Sequence, residues 1–329
     1  MTLRAGSIGL AAALLLAGCG DDTELAGDTE GAGTSGGEET TGESNETSPG
    51  TSGNGETTDD VGSESSDGES GSTTDDTPDT TEGEVCGELP TRMMFFGDSL
   101  YACFGQDGGI DGMGCSARLA HEYLEGTYAP GVTYENLAIS GAVTQDVVDQ
   151  QMPGANVGQP GHTLVVIWIG GNDISGLLLS PDDQAEDTYR NELQPSLDML
   201  WTRMLAWVDD PANFPDGATL VINTQFNPFD DCTADPYGFM SPLKTQLLGE
   251  YNDILRDRVA QRENTYLADQ YPVFLGHGHH FGTAECPNYT EGNDYWMIGG
   301  TDLVHPNTLG HVSIAGTLNG TLDEIYGCG

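Results

Sequence analysis

Two short motifs contain the residue types that nucleophilic catalysis requires. Ser99 lies in Gly97-Asp98-Ser99-Leu100, and Asp302 and His305 lie three residues apart in Asp302-Leu303-Val304-His305-Pro306. A serine hydroxyl becomes a nucleophile when a base takes its proton, and an imidazole base needs a third group that fixes its tautomer and stabilises its cation. We therefore predict that Ser99 is the nucleophile, His305 the base and Asp302 its partner in a turn.

Asn172 belongs to a third motif that could serve the same reaction. Gly170-Gly171-Asn172-Asp173 directly follows the apolar run from Leu164 to Ile169. The side-chain amide of Asn172 can donate a hydrogen bond to a developing oxyanion, and the glycines permit a close turn of the backbone. Taken alone, each motif also has a simpler interpretation: a helix N-cap for the serine motif, an ordinary turn for the asparagine motif and a surface turn for the histidine motif.

Strands that alternate with helices would bring these motifs together. The predicted strands are Arg92–Phe96, Val132–Leu137, His162–Ile169, Thr219–Asn223 and Tyr266–Ala268. Two series of apolar residues recur every three or four positions, as on the buried face of a helix. They are Leu193, Leu197, Leu200, Met204 and Val208, and Leu247, Tyr251, Leu255 and Val259. This alternation predicts a parallel sheet covered on both faces, with ligands bound at the carboxyl ends of its strands.

The motifs also occur in an order that resembles a known family. The sequence resembles the GDSL or SGNH hydrolases through four blocks that occur in the order of that family. They are Gly97-Asp98-Ser99-Leu100, Asn136-Leu137-Ala138-Ile139-Ser140-Gly141, Gly170-Gly171-Asn172-Asp173 and Asp302-Leu303-Val304-His305-Pro306. The resemblance covers about Arg92 to Tyr326. It implies a three-layer α/β/α, flavodoxin-like fold with about five parallel strands.

The resemblance implies a role for each motif. Ser99, His305 and Asp302 would be the catalytic residues. The backbone N–H groups of Ser99 and Gly141 and the side-chain amide of Asn172 would form the oxyanion hole. The resemblance implies no metal and no organic cofactor.

The segment before Asp302 departs from the simplest family members. It contains the histidines His277, His279 and His280, which we interpret as part of a polar loop near the site, with a metal site as the alternative. Tyr295 and Trp296 could stack on a sugar ring, and packing is the alternative.

Composition divides the chain into three parts. Residues 1–18 carry Arg4 and an apolar run too short to span a bilayer, as in an export signal. Residues 19–85 are almost entirely small, polar or acidic, which predicts a disordered tether. Residues 86–329 contain the aromatic and β-branched runs and are predicted to form one hydrolase domain.

The formal net charge of −44 limits the partners of the chain. Acidic residues occur throughout the tether and the predicted domain, and a surface of that sign repels phosphate backbones and anionic headgroups. Nucleic acid binding and electrostatic docking to membranes are therefore disfavoured. A neutral ester of a small molecule or a carbohydrate suits this surface better.

The tetrad Leu16-Ala17-Gly18-Cys19 resembles the bacterial lipobox. The resemblance implies cleavage before Cys19 and acylation of its thiol, whereas an ordinary secretory signal is the alternative. We predict a protein of the bacterial cell envelope, attached to a membrane through this lipid only. Gly20 favours the outer membrane or the cell surface, by resemblance to lipoprotein sorting signals.

The remaining cysteines are even in number, which in an exported chain indicates disulfides. Their spacing is unlike that of a zinc site. Many pairings are possible and the sequence does not choose among them. The pairing that we favour is Cys86–Cys328, Cys103–Cys115 and Cys232–Cys286.

Together these features predict a secreted, lipid-anchored carboxylic ester hydrolase with an acyl-Ser99 intermediate. Short acyl esters such as O-acetylated carbohydrate are the preferred substrates, because the chain is exported and acidic and shows no long apolar lid. A lipase or lysophospholipase with the same triad is the nearest alternative. A non-catalytic surface binding lipoprotein, and acyl transfer to a sugar acceptor, are the others.

Overall fold

The computed structural model describes residues 87–231, 238–279, 286–289, 294–300 and 302–327. Several sequence predictions lie outside these residues. They are the signal peptide at residues 1–18, the tether at 19–85, lipidation of Cys19, the Cys86–Cys328 disulfide, and the roles of Cys232 and His280.

The central sheet is built from parallel strands. They are β1 Arg92–Gly97, β2 Thr133–Asn136, β3 Thr163–Trp168, β4 Ala218–Asn223 and β5 Thr265–Ala268. Their order across the five-stranded sheet is β2-β1-β3-β4-β5, which is the order of flavodoxin-like folds. The predicted fold class is confirmed, and each predicted strand overlaps one of these.

Helices connect the strands and cover both faces of the sheet. Their bounds are α1 Ser116–Thr127, α2 Thr144–Asp146, α3 Met152–Gly154, α4 Gly171–Leu179, α5 Asp182–Thr188, α6 Gln194–Val208, α7 Pro242–Ala260, α8 Gln270–Phe274 and α9 Thr308–Tyr326. A π-helical turn at Val147–Gln151 joins α2 to α3, and another at Tyr189–Leu193 leads into α6. A 3-10 helix at Gly109–Asp111 precedes α1.

The core consists of two apolar layers, one on each face of the sheet. Successive side chains of a strand point to opposite faces, so Met94 and Phe96 pack in one layer while Met93 and Phe95 pack in the other. The buried faces of α6 and α7 complete the first layer, and those of α1 and α9 complete the second. Every member of the two predicted helical stripes is buried, as expected.

The serine motif forms a turn, as predicted, whereas the two other motifs differ locally from their predicted conformation. The Ser99 turn runs into further turns, and the next α-helix starts only at Ser116, so the turn is not a helix N-cap. The asparagine motif is not an ordinary turn, because α4 begins at Gly171. The predicted Asp302 turn is a short strand, β7 Asp302–Pro306, which pairs antiparallel with β6 Met297–Gly299.

One predicted disulfide lies wholly within the described residues. Cys103 and Cys115 are bonded, with their Cα atoms 5.2 Å apart, which confirms this pair. Cys286 is also disulfide-bonded. Its predicted partner Cys232 lies outside the described residues, so this pairing stays a prediction. Within the described ranges, no helix combines the length and the apolar character that crossing a membrane requires.

Candidate active site

Ser99, His305 and Asp302 form one chain of hydrogen bonds. Nε2 of His305 lies 2.8 Å from Oγ of Ser99, and Nδ1 of His305 lies 2.8 Å from Oδ2 of Asp302. With its hydrogen on Nδ1, the imidazole donates to the carboxylate and accepts from the serine hydroxyl through Nε2. Ser99 and His305 are both buried, at 5% and 4% exposure. This arrangement can transfer the serine proton to the imidazole.

The Asp302 carboxylate is held in its ionised form. Its Oδ1 accepts the backbone N–H groups of Val304 at 3.1 Å and His305 at 3.0 Å. Burial alone would raise the pKa of Asp302, but the hydrogen bond from His305, the charge of that imidazole and the two N–H groups together lower it. Asp302 can therefore orient His305 and stabilise its cation at neutral pH.

A buried glutamine holds the backbone that leads into Ser99. Gln151 ends the π-helical turn, and its Nε2 donates to the Gly97 carbonyl oxygen at 2.7 Å while its Oε1 accepts from the Gly97 N–H at 2.9 Å. On the other side, a Cβ atom at Gly97 would lie 2.2 Å from the Trp168 carbonyl oxygen, so only glycine fits. Gly97 is thus fixed on two sides, two residues before the serine.

The segment after Ser99 reaches back to the histidine. The Phe104 ring lies over the His305 imidazole, with ring centroids 4.4 Å apart, and the Phe104 N–H donates to the Ser99 carbonyl oxygen at 3.0 Å. Cys103, the preceding residue, is anchored by its disulfide to Cys115. This segment therefore contacts both the nucleophile and the base.

The residues that are expected to provide the oxyanion donors also lie at this edge of the sheet. Nδ2 of Asn172, in the first turn of α4, donates to the Ala142 carbonyl oxygen at 2.8 Å. The Ile139 N–H donates to the Gly97 carbonyl oxygen at 3.1 Å, which ties the loop containing Gly141 to the end of β1. An amide group has two hydrogens, so Asn172 can donate one to Ala142 and a second to a bound oxyanion.

Asp98 links the nucleophile turn to the start of α4. The side chain is 1% exposed, its Oδ1 accepts a hydrogen bond from the Leu100 N–H at 3.0 Å, and the nearby Gly171 N–H also favours its charged form. Burial raises the pKa of Asp98 to about 6, against the effects of these N–H groups and of the nearby His305 charge. The carboxylate therefore joins the element that bears Ser99 to the element that bears Asn172.

A largely apolar pocket opens beside Ser99 and His305. One side is α4, through residues from Gly171 to Leu178, and Leu248 of α7 contributes to another. Phe226, Pro228, Met240 and Val304 complete its apolar walls. The pocket can therefore bind an uncharged, apolar group next to the serine hydroxyl.

The histidines and aromatic residues upstream of Asp302 contact one another. The His277 ring stacks on Trp296 with centroids 3.5 Å apart, and Nδ1 of His279 lies 2.8 Å from the Tyr295 hydroxyl. These contacts fit the packing interpretation of both pairs. The described part of the chain has no group of three or more His, Cys, Asp or Glu side chains placed to hold a metal ion.

Sequence reasoning missed three contributors to the site: Gln151, the bridging contacts of Asp98, and the apolar pocket. Gln151 lies 54 residues from its partner Gly97 and in no recognisable motif. Asp98 is part of a motif, but its second neighbour, Gly171, follows a different strand, β3. The pocket residues belong to several separate elements, so no local pattern could have identified them.

A family model described as GDSL-like lipase/acylhydrolase matches residues 93–317. A phospholipase A1 from Streptomyces albidoflavus is 19% identical with a TM-score of 0.50, and the match covers 70% of this chain and 99% of that one. An extracellular lipase from Streptomyces rimosus is 19% identical with a TM-score of 0.48, over 70% of this chain and 99% of that one.

An acetylxylan esterase from Geobacillus stearothermophilus is 18% identical with a TM-score of 0.45, and the match covers 73% of this chain and 95% of that one. At this level of identity such likeness concerns the fold alone. No curated protein matches the sequence.

Proposed function

The chain belongs to the GDSL-like lipase/acylhydrolase family and hydrolyses ester bonds, and we propose that it does so through an acyl intermediate on Ser99. The observation that carries this proposal is the continuous hydrogen-bond chain from Ser99 through His305 to Asp302, with both bonds 2.8 Å long. These three hydrogen-bonded residues lie at the carboxyl edge of the sheet, where α/β folds bind their ligands.

The proposed reaction has two stages. Oγ of Ser99 attacks the ester carbonyl carbon while Nε2 of His305 takes its proton, and the tetrahedral intermediate collapses as the alcohol leaves with that proton. Water then attacks the acyl carbon, giving a proton to His305. The second intermediate releases the carboxylic acid as the proton returns to Ser99.

Hydrogen-bond donors stabilise the negative oxygen in both stages. We assign this role to the backbone N–H groups of Ser99 and Gly141 and to Nδ2 of Asn172. Support comes from the contacts that join Asn172 to Ala142 and the loop of Gly141 to Gly97. Donors fixed before the reaction do not have to reorganise as charge develops, which is why they lower the barrier.

Hydrolysis of p-nitrophenyl esters tests this function. We expect turnover by the wild-type protein and background rates for Ser99→Ala, with Ser313→Ala in α9 as a matched control that retains activity. Circular dichroism establishes that the proteins are equally folded. Equal rates for wild type and Ser99→Ala would refute the role of Ser99, and a lack of turnover on all esters would favour the non-catalytic binding lipoprotein.

The identity of the ester is a separate part of the proposal. The sequence favours short acyl groups on carbohydrate, whereas a lipase-type esterase is the alternative. One observation separates the two: the walls of the pocket beside Ser99 are mainly apolar. An acetyl group is too small to use such walls, so this observation supports the alternative for the acyl side of the substrate.

We also propose that the protein is exported and lipid-anchored in the cell envelope. The support is the lipobox-like Leu16-Ala17-Gly18-Cys19 and the acidic, polar segment that follows it. Fractionation of cells that express the full chain provides the test. Wild type should be found with membranes and Cys19→Ser should not, whereas membrane association of both proteins would contradict lipidation at Cys19.

A further inference from the structure

We propose that the pocket beside Ser99 is an acyl-chain site that selects medium-length acyl groups, an inference that rests on the proposed ester hydrolysis. The pocket begins at the reacting groups, since Ser99, Asn172 and His305 all line it. A chain attached to the acyl carbon on Ser99 would therefore enter the pocket directly.

One face of α4 gives the pocket its length. Asn172, Ser175 and Leu178 follow one another at intervals of three residues and line the same pocket, as neighbours on one helix face do. A helix rises about 1.5 Å per residue, so Leu178 lies roughly 9 Å along the axis from Asn172. An extended acyl chain of roughly six to eight carbons covers that distance with ordinary bond lengths of about 1.5 Å.

The walls along that length are mainly apolar, with a few polar side chains among them. Ile174 and Leu178 of α4 are 6% and 9% exposed, while Leu248 and Met240, from other elements, are 3% and 5% exposed. Side chains that are already so buried form a preformed surface, and an acyl chain fills it without further ordering of the protein. Each methylene that it buries is worth roughly a fourfold gain in kcat/KM.

Beyond Leu178, the lining includes charged side chains. The Nζ of Lys244, on α7, donates to the Leu178 carbonyl oxygen at 2.8 Å and lies 3.9 Å from Oδ1 of Asp182. Lys244 and Asp182 line a second cavity that shares Leu178 with the acyl pocket. A longer chain would place methylenes against this ion pair, where burial of charge is costly. Leu178 therefore lies at the end of the part of the pocket in which burial of an acyl chain is favourable.

A chain-length profile tests the site. We would measure kcat/KM on p-nitrophenyl acetate, butyrate, hexanoate, octanoate, dodecanoate and palmitate. The value on hexanoate or octanoate should exceed that on acetate at least tenfold and should fall again for palmitate. A profile highest on acetate, or one still rising to palmitate, would overturn the inference while leaving ester hydrolysis intact. Failure on every ester would instead contradict the proposed function.

Leu178→Trp places a bulky ring at the far end of the pocket. It should lower the octanoate-to-acetate ratio of kcat/KM at least tenfold and move the optimum to shorter chains. Leu179→Trp is the matched control, because Leu179 lines the second cavity and not the acyl pocket. Leu178→Phe, a smaller change, provides the same test should the tryptophan variant not fold. An unchanged ratio in a folded Leu178 variant would contradict the assignment.

Discussion

Asn172 shows how a single side chain can be fixed before the reaction begins. Asn172 lies in the first turn of α4, and its amide donates to the Ala142 carbonyl oxygen. The sequence placed this polar residue directly after a buried strand, and the structure has it there, in the first turn of α4. The partner Ala142 could not be foreseen, because the contact depends on a loop 30 residues away.

Replacement of Asn172 by alanine should impair catalysis far more than folding. Loss of one oxyanion donor typically lowers kcat by about 100-fold to 1000-fold. Asn213→Ala is a suitable control, because Nδ2 of Asn213 also donates to a backbone carbonyl oxygen, that of Trp207, but away from the site. Equal kcat values for the two variants would argue against an oxyanion role for Asn172.

Asp98 should make stability depend on pH in a particular direction. Its pKa is raised from 3.8 to about 6 in the folded state, so the folded protein binds this proton more tightly than the unfolded chain. The resulting gain in stability begins as the pH falls through about 6, is complete below 3.8, and is lost again as the pH rises. In Asp98→Asn this contribution is absent.

Urea unfolding of wild type and Asp98→Asn at several pH values measures the effect. Between neutral pH and pH 4, the difference in free energy of unfolding should shift in favour of the wild type by up to about 3 kcal/mol. The pKa of Asp230 is also raised to about 6, but this residue is present in both proteins, so its contribution cancels in the difference. A difference that is constant with pH would show that Asp98 does not titrate in this range.

Among the elements, the segment from Ser99 to Cys115 has the most specific role. It leaves β1, places Phe104 against His305 and is closed by the Cys103–Cys115 disulfide. The sequence allowed for a helix directly after Ser99, and the structure has a series of turns instead. The glycine-rich sequence from Gly105 to Gly114 explains the difference, since glycine disfavours a regular helix.

Removal of this disulfide should affect both stability and catalysis. We expect Cys103→Ser/Cys115→Ser to lower the free energy of unfolding by about 3 kcal/mol, as for a loop of this size. It should also lower kcat several-fold, because Phe104 would no longer be held over His305. The double variant is preferable to a reductant, which would also attack the disulfide of Cys286. An unchanged kcat would show that the segment does not position the base.

β6 and β7 illustrate an element that sequence could not predict. Each strand is very short, and among the described residues β6 and β7 pair with each other alone. The long parallel strands were predictable because their buried positions form continuous apolar runs, as in β3. Asp302-Leu303-Val304-His305-Pro306 has no such run, and its extended form depends on its pairing with Met297–Gly299.

For the whole molecule, the order of the motifs along the chain was informative because parallel strands end at one edge of the sheet. That rule placed Ser99, Asn172 and His305 together from sequence, and the structure has them lining one pocket. The contacts that hold these residues, such as Gln151 with Gly97, come from packing between distant segments. Sequence therefore predicted where these residues lie better than it predicted the contacts that hold them.

The most direct test of the account is detection of the acyl-enzyme itself. Wild type would be mixed with p-nitrophenyl octanoate, quenched in acid during turnover, digested and analysed by mass spectrometry. We predict an octanoyl group on the peptide that contains Ser99, which decays once the ester is consumed and is absent from Ser99→Ala. An acyl group on another residue, or turnover by Ser99→Ala at the wild-type rate, would contradict catalysis through Ser99.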